Sequence, residues 1–165
     1  MKVANVALRA LQLLITIIIM SLVGNMIAMG ASPAVVNYVM FCAVIALLAL
    51  LYLLPAAVTD GLNFHAALPT ALDGAIVLFW FCAAVALAAE LGVHSCSNRD
   101  YVTSNKVMRG ASQESSACRE AQAATAFLWF GWVTFVGTLA MSAMGFKSGG
   151  GASGGIRRGP AMAQV

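Results

Sequence analysis

The chain has 165 residues, of which 61% are hydrophobic and only 9% are charged, and its formal net charge at pH 7 is +3. Soluble domains usually contain about 25% charged residues, so this composition excludes a water-soluble globular domain of the same length. A net charge this small also gives no indication of nucleic-acid binding.

Four long apolar runs account for the excess of hydrophobic residues. They lie at about residues 6–29, 35–58, 70–93 and 121–146. A helix needs about 20 apolar residues to cross a bilayer, and each run is long enough. The sequence therefore predicts an all-α membrane protein, with a bundle of four transmembrane helices over residues 1–147. The Gly/Ser-rich remainder, residues 148–165, predicts a flexible tail.

Four uncharged polar residues lie within the first apolar run, namely Gln12, Thr16, Ser21 and Asn25. Lipid cannot form hydrogen bonds with them, so we expect their side chains to face other helices. Ser21, Gly24 and Ala28 follow each other at spacings of three and four residues. This spacing predicts either a surface for close helix packing or small residues without a special contact.

Two acidic residues fall within the third apolar run, Asp73 near its start and Glu90 near its end. An ionisable residue inside a membrane segment is a functional candidate by default. Thr70 and Asp73 also have the spacing of a capping box, which favours helix capping over transport. The two acids are separated by about 25 Å of helix, so they cannot form one catalytic pair. The expected partners of Glu90 are Arg99 and Arg119 in the following loop.

The fourth apolar run carries Thr134, Thr138 and Ser142 at intervals of four residues. Residues at this spacing share one face of a helix. Because such hydroxyl groups can bond to a neighbouring helix, we predict that this row contributes to helix packing rather than to a ligand site.

The long polar segment after the third run contains two cysteines near its ends, Cys96 and Cys118. A bridge between them would close one loop between two helices, and disulfides persist in oxidising compartments. We therefore predict a Cys96–Cys118 disulfide, with Cys42 and Cys82 inside apolar runs as free thiols. A zinc site formed by His94, Cys96 and Cys118 is the alternative, although it lacks a fourth ligand and a C-x-x-C pair.

The distribution of cations bears on the topology, because four crossings place both termini on one side of the membrane. The cations on that side are Lys2, Arg9, Lys147, Arg157 and Arg158. Those in the loop after the third run are Arg99, Lys106, Arg109 and Arg119. Positive residues accumulate in cytosolic segments, so this count favours cytosolic termini, and the predicted disulfide places the loop outside. The basic residues of the tail would be attracted to an anionic leaflet.

No catalytic motif is present in the sequence. It contains no glycine-rich phosphate loop, no C-x-x-C pair and no H-E-x-x-H motif. The sequence therefore predicts a protein that is not an enzyme and needs no cofactor.

Several short motifs around the polar loop match a known family. Those in and after the loop are His94-Ser95-Cys96, Asn98, Tyr101-Val102, Ser104-Asn105-Lys106, Cys118-Arg119, Ala121-Gln122-Ala123-Ala124 and Ala126-Phe127-Leu128. Those elsewhere are Asn37-Tyr38, Met40-Phe41, Asp73 and Gln164-Val165. Together with the four-helix layout, these motifs make the chain resemble the fungal non-classical export protein family.

This resemblance implies a four-helix domain of the MARVEL type in plasma-membrane microdomains associated with eisosomes. It implies a multi-pass protein that organises furrow-like membrane domains, responds to sphingolipid status and is linked to unconventional protein export. The partners it implies are membrane lipids such as a sphingolipid or a sterol, eisosome-associated proteins, and a second copy of the chain as a homo-oligomer.

Two functional hypotheses follow from the sequence, and a third, a membrane enzyme, is supported by no local motif. The first is a membrane-organising scaffold that acts through contacts with lipids and other proteins. The second is a small transporter or channel that uses the intramembrane acids Asp73 and Glu90. If Asp73 serves transport, Asp73→Asn should abolish the transport activity. If Asp73 only caps the helix, asparagine should largely preserve that role.

Overall fold

The computed structural model describes residues 2–59, 67–92 and 94–150, without the side chains of Lys2 and residues 145–150. This part of the chain forms the helices α1 (Lys2–Ala28), α2 (Ala34–Val58), α3 (Ala67–Leu91), α4 (Arg99–Ser104) and α5 (Glu114–Gly150). All but α4 are long and apolar enough to cross a bilayer. The predicted all-α bundle of four transmembrane helices is therefore confirmed.

The helix boundaries differ most from the sequence-based ones around the polar loop. α4 was not predicted, and α5 begins at Glu114, seven residues before the predicted start of the fourth apolar run. The first turns of α5 contain too many polar residues to be predicted as part of a transmembrane segment. They are helical because one face packs into the protein, where Ala117, Cys118 and Ala121 are fully buried. At the other end, α5 continues to Gly150, and Arg157 and Arg158 lie outside the described residues.

The four long helices form a closed ring. α1 packs against α2 and α5, and α3 also packs against α2 and α5. α1 and α3 therefore lie diagonally opposite each other, and any bond between them must cross the centre of the bundle.

The two ends of the bundle differ in the segments that they carry. The cap end carries the cap (residues 94–113), and the terminal end is where α1 begins and α5 ends.

Large apolar side chains fill the centre of the bundle. The rings of Trp80 and Phe135 meet edge to face with their centroids 5.0 Å apart, and both side chains are fully buried. The Trp80 ring lies on Gly131, whose Cα leaves room for the indole. Fully buried apolar residues of α1, α3 and α5 continue this packing toward the cap end, namely Ile19, Val23, Met26, Leu87, Ala124 and Leu128.

The polar residues of α1 only partly follow the prediction that they face other helices. Gln12 and Thr16 are fully buried. Asn25 donates from Nδ2 to Oε1 of Glu120 in α5 at 2.5 Å. Ser21 is exposed on the outside of the bundle, where its hydroxyl donates to the carbonyl of Ile17, a bond that satisfies it without another helix.

Ser21, Gly24 and Ala28 do not form a continuous surface for close helix packing, because one of the three faces another helix and two are exposed. A Cβ atom on Gly24 would lie 3.5 Å from Cε of Met40 in α2, so this glycine faces a neighbouring helix. Ser21 and Ala28 are exposed. The alternative of scattered small residues therefore describes the other two positions.

Candidate functional site

A disulfide joins the cap to α5. Cys96 and Cys118 are bonded, with their Cα atoms 5.7 Å apart, which is ordinary spacing for a disulfide. Cys42 and Cys82 are free thiols, so the predicted pairing is confirmed. The zinc alternative would need both Cys96 and Cys118 as thiolates, and the part of the chain that the structure describes contains no cluster of three metal-ligating side chains.

Two cap residues satisfy the carbonyl groups at the end of α3. The last four carbonyls of a helix have no partner within it. Here the Tyr101 hydroxyl donates to the Leu91 carbonyl. Asn105 Nδ2 donates to the carbonyls of Glu90 at 3.0 Å and Leu91 at 3.4 Å. The cap therefore serves as the C-terminal capping structure of a transmembrane helix.

The short helix α4 holds Tyr101 and Asn105 in position. Asn98 is its N-cap, and its Oδ1 accepts from the backbone N–H groups of Asp100 at 3.1 Å and Tyr101 at 3.4 Å. Near the other end, the Ser104 hydroxyl donates to the Asp100 carbonyl at 2.6 Å. Isolated helices this short are unstable in water, so α4 depends on these side-chain bonds and on its packing through the buried Val102.

Further contacts attach the start of the cap to α4 and α5. The His94 ring stacks on the Tyr101 ring, with centroids 4.7 Å apart and planes 16° apart. Gln122 Nε2 in α5 donates to the His94 carbonyl at 3.0 Å. The Ser95 hydroxyl accepts from the backbone N–H of Ser97 at 3.3 Å. These contacts and the adjacent disulfide hold the start of the cap against the bundle.

The residues of the family motif thus have two different roles. Those whose side chains hold the cap together or attach it to the bundle are His94, Ser95, Cys96, Asn98, Tyr101, Ser104, Asn105, Cys118 and Gln122. Lys106 and Arg119 are exposed, as are the nearby cations Arg99 and Arg109. The motif builds a cap that is held by side-chain hydrogen bonds and a disulfide, and it leaves cations on the surface of the cap.

The cap is also attached to the turn between α1 and α2. The backbone N–H of Ser112 donates to the Met29 carbonyl at 2.7 Å. Gly30 and Gly110 meet backbone to backbone, both with positive φ (97° and 92°). A Cβ on Gly30 would lie 2.5 Å from the Gly110 carbonyl oxygen. Sequence reasoning missed this contact, and its only signal was a glycine in each connection.

A buried polar cluster lies toward the terminal end of the bundle. The guanidinium group of Arg9 in α1 donates to both carboxylate oxygens of Asp73 in α3, at 2.5 and 2.6 Å. The side chains of Arg9 and Asp73 are 2% and 0% exposed. Thr138 accepts from Gln12 at 3.0 Å, and Ser142 donates to Asp73 at 3.4 Å. The cluster therefore links α1, α3 and α5.

The depth of this cluster follows from its position along each helix. Arg9 and Asp73 each lie six residues inside the first residue of their spans, and Thr138 lies six residues before the last described residue of its span. At 1.5 Å per residue, the cluster is about 9 Å from the end of the spans. Both side chains are buried at this depth, and buried charges in proteins are ordinarily paired.

The expected capping role of Asp73 is wrong. The described part of α3 begins at Ala67, so Thr70 and Asp73 both lie within the helix. The carboxylate binds Arg9 rather than a backbone N–H group. Arg9, which was counted above among the cations on the side of the termini, is the partner of Asp73. Opposite charges at matching depths in the first and third runs were the available signal.

Glu90 lies at the other end of α3, outside this cluster. It is exposed, and among the described residues its carboxylate forms no ion pair with Arg99 or Arg119, the two partners expected from the sequence. Only its backbone carbonyl takes part in the cap, as the acceptor for Asn105. Asp73 and Glu90 therefore have unrelated environments and do not form a joint site. The row Thr134, Thr138 and Ser142 contributes two hydroxyl groups to the cluster, while Thr134 bonds to the Gly131 carbonyl.

We expect Tyr101→Phe to loosen the cap without unfolding the bundle. The change removes one hydrogen bond, which typically contributes about 1 kcal/mol. Burial raises the pKa of Tyr101, so the hydroxyl remains a donor at neutral pH, and its contribution is lost only as the pH rises through that raised pKa. Amide hydrogen exchange over residues 94–105 should be faster in the variant, while exchange in α1 and α2 stays the same. Ser97→Ala is the matched control, and equal exchange in the two variants would contradict the role given to Tyr101.

Comparisons with known proteins agree with this architecture. Residues 2–141 match the family described as MARVEL, membrane-associating domain. The chain is 34% identical over 152 residues to Non-classical export protein 2 of Saccharomyces cerevisiae, and the match covers 91% of this chain and 86% of that protein. It is 36% identical over 126 residues to Non-classical export protein 2 homolog 1 of the same species, covering 70% and 65%.

A shorter match is 44% identical over 70 residues to Non-classical export protein 102 of Candida albicans, covering 42% of this chain and 39% of that protein. The matched parts of the chain thus span less than two thirds of the length of two of these relatives. No solved structure matches the chain at a significant level.

Proposed function

This chain belongs to the non-classical export protein family of MARVEL-domain membrane proteins, and from that membership we propose that it organises plasma-membrane microdomains without catalysing a reaction. The microdomains are the furrows associated with eisosomes. Its partners are membrane lipids, with a sphingolipid or a sterol as the candidates, eisosome-associated proteins and further copies of the chain. The names of the relatives add a link to unconventional protein export.

The cap is the observation that carries this proposal. In an enzyme, the side chains of a family motif usually converge on a cleft that admits a substrate. Here the side chains of Tyr101, Asn105 and Gln122 bond to backbone carbonyls of the protein itself. The product of the motif is a rigid surface with exposed cations, which suits contacts with headgroups or neighbouring proteins.

The interior of the bundle argues against the transporter alternative. The fully buried polar side chains of the described residues are Arg9, Gln12, Thr16, Asp73 and Thr138. They lie toward the terminal end, and the packed rings of Trp80 and Phe135 and the apolar residues beyond them separate this cluster from the cap. Asp73 is already neutralised by Arg9, and Glu90 lies elsewhere. A hydrophilic path along both acids therefore has no support.

The disulfide supports cytosolic termini. The sequence count of five cations against four included Arg9, but Arg9 is buried in an ion pair. With Arg9 removed, the two sides carry four cations each, so charge no longer favours an orientation. A disulfide persists in an oxidising compartment. We therefore propose that the cap faces outward and that both termini are in the cytosol.

Localisation in a fungal plasma membrane tests the proposal. We expect a fluorescent fusion to collect in patches that overlap an eisosome marker. Cys96→Ser should reduce the fraction of protein in patches severalfold while leaving membrane insertion intact, because the cap loses its covalent closure. Cys82→Ser removes an exposed free thiol and is the matched control.

Two results would contradict the proposed function. One is a uniform distribution of the wild-type protein that does not overlap the marker. The other is solute flux through reconstituted vesicles that is lost in Asp73→Asn, since an organiser should conduct no more than empty vesicles. The second result would favour the transporter instead.

A further inference from the structure

Among the described residues, the two ends of the bundle are held together by different kinds of contact. At the cap end, the disulfide, the backbone bond from Ser112 to Met29 and the contact between Gly30 and Gly110 fix the spacing of the connections. At the terminal end, the described residues contain no disulfide and no backbone hydrogen bond between helices. Side-chain contacts alone tie the described helices together there.

One of those contacts crosses the bundle. α1 and α3 lie diagonally opposite each other and have no direct backbone packing. Arg9 and Asp73 reach across this diagonal and form two parallel hydrogen bonds. Gln12, Thr138 and Ser142 bind to the same groups. This ion pair therefore joins α1 directly to α3 at this end, while the other contacts of the two helices run through α2 and α5.

The polar atoms near this ion pair are incompletely satisfied. Arg9 Nε and Asn5 Oδ1 are buried without a hydrogen-bond partner among the described residues. Both lie on α1 within its first two and a half turns, on the side that faces the bundle. A buried ion pair adds little net stability compared with apolar packing, and its best-attested uses are to set register and to switch between arrangements. This end of the bundle thus combines a specific ion pair with two buried polar atoms that have no hydrogen-bond partner among the described residues.

We propose that the Arg9–Asp73 ion pair is a latch that closes the terminal end of the bundle. When the pair separates, α1 and α3 move apart at this end while the cap end keeps its spacing. The protein then becomes wider in one leaflet only, a change of shape by which it would respond to the packing of that leaflet. This latch goes beyond the proposed function and does not depend on it.

Distance measurements between spin labels test the latch in the full chain in lipid vesicles. The background carries Cys42→Ala and Cys82→Ala and keeps the native disulfide. One label pair uses Val3→Cys and Leu68→Cys at the terminal end, where both positions are exposed. The other uses Ala28→Cys and Ala89→Cys at the cap end, where both are also exposed.

We expect Asp73→Asn to lengthen and broaden the terminal-end distance by a few ångströms and to leave the cap-end distance unchanged. Glu90→Gln is the control on the same helix, and it should change neither distance. The double variant Arg9→Met with Asp73→Leu replaces the pair by apolar side chains and should keep the terminal end closed. These readouts do not involve localisation, so the latch and the proposed function can fail separately.

Three outcomes would overturn the latch. If neither distance changes in Asp73→Asn, the pair does not hold the end closed. If both distances change together, the bundle loosens as a whole and has no independent end. If Asp73→Asn does not fold, Arg9→Gln decides instead, because an unchanged terminal-end distance in folded Arg9→Gln would show that the end stays closed without the pair.

Discussion

Asp73→Leu is expected to lower the free energy of unfolding by about 3–5 kcal/mol, the range for removing one partner of a buried ion pair. The reason is that Arg9, which is 2% exposed and lies about 9 Å from the end of its span, would remain buried without a counter-charge. A guanidinium group cannot lose its proton in a protein, so the helix must move or draw water inward.

The partner substitution should have a smaller effect. Arg9→Met leaves Asp73 without its cation, but a carboxyl group can remain buried as the neutral acid, hydrogen-bonded to Ser142. The double variant Arg9→Met with Asp73→Leu should recover most of the stability, because apolar replacements for buried pairs are often neutral or stabilising. Unfolding in mixed micelles, with Glu90→Gln as control, measures all three. Additive losses in the double variant would contradict a direct pair.

Gly131→Val is expected to destabilise the bundle by about 3 kcal/mol, at the upper end of the usual effect of overpacking. A Cβ atom at this position would lie no more than 3.0 Å from three ring carbons of Trp80. The ring is fully buried and packs edge to face on Phe135, so it has no free space into which to move. The thermal midpoint of the detergent-solubilised protein measures the loss.

Gly137→Ala is the matched control for this prediction. It lies in the same helix, and a Cβ atom there would meet nothing within 4 Å. Alanine is favoured over glycine in a helix by about 1 kcal/mol, so this variant should be neutral or slightly more stable. A second test combines Gly131→Ala with Trp80→Leu, which removes the clashing ring. Equal thermal midpoints for Gly131→Val and Gly137→Ala would contradict the close contact between Trp80 and Gly131.

The features of the fold that could be predicted are those that depend on whether a segment lies in lipid or in water. Each apolar run is long enough to span a membrane, and the two polar-loop cysteines differ from Cys42 and Cys82 in their surroundings. These features follow from solvation and do not depend on which helices become neighbours. For that reason the number of membrane-spanning helices and the disulfide were predictable from the residues alone.

The contacts that the sequence did not reveal are those between distant residues. The Arg9–Asp73 pair depends on α1 and α3 lying across one diagonal at matching depth, which no local pattern specifies. The same is true of the Gly30–Gly110 contact and of Trp80 on Gly131. The capping interpretation of Asp73 is wrong although the spacing of Thr70 and Asp73 fits a capping box. The ion pair with Arg9, a contact between distant residues, determines the position of the Asp73 carboxylate instead.

Peptide mapping of the protein purified from fungal membranes without reductant tests the central claim most directly, namely that the motif residues close a rigid cap over one end of the bundle. Free thiols are alkylated before digestion, and the linked peptides are identified by mass spectrometry. The account predicts a peptide containing Cys96 joined to Cys118, with Cys42 and Cys82 recovered as free thiols. Recovery of Cys96 and Cys118 as two alkylated thiols would contradict it.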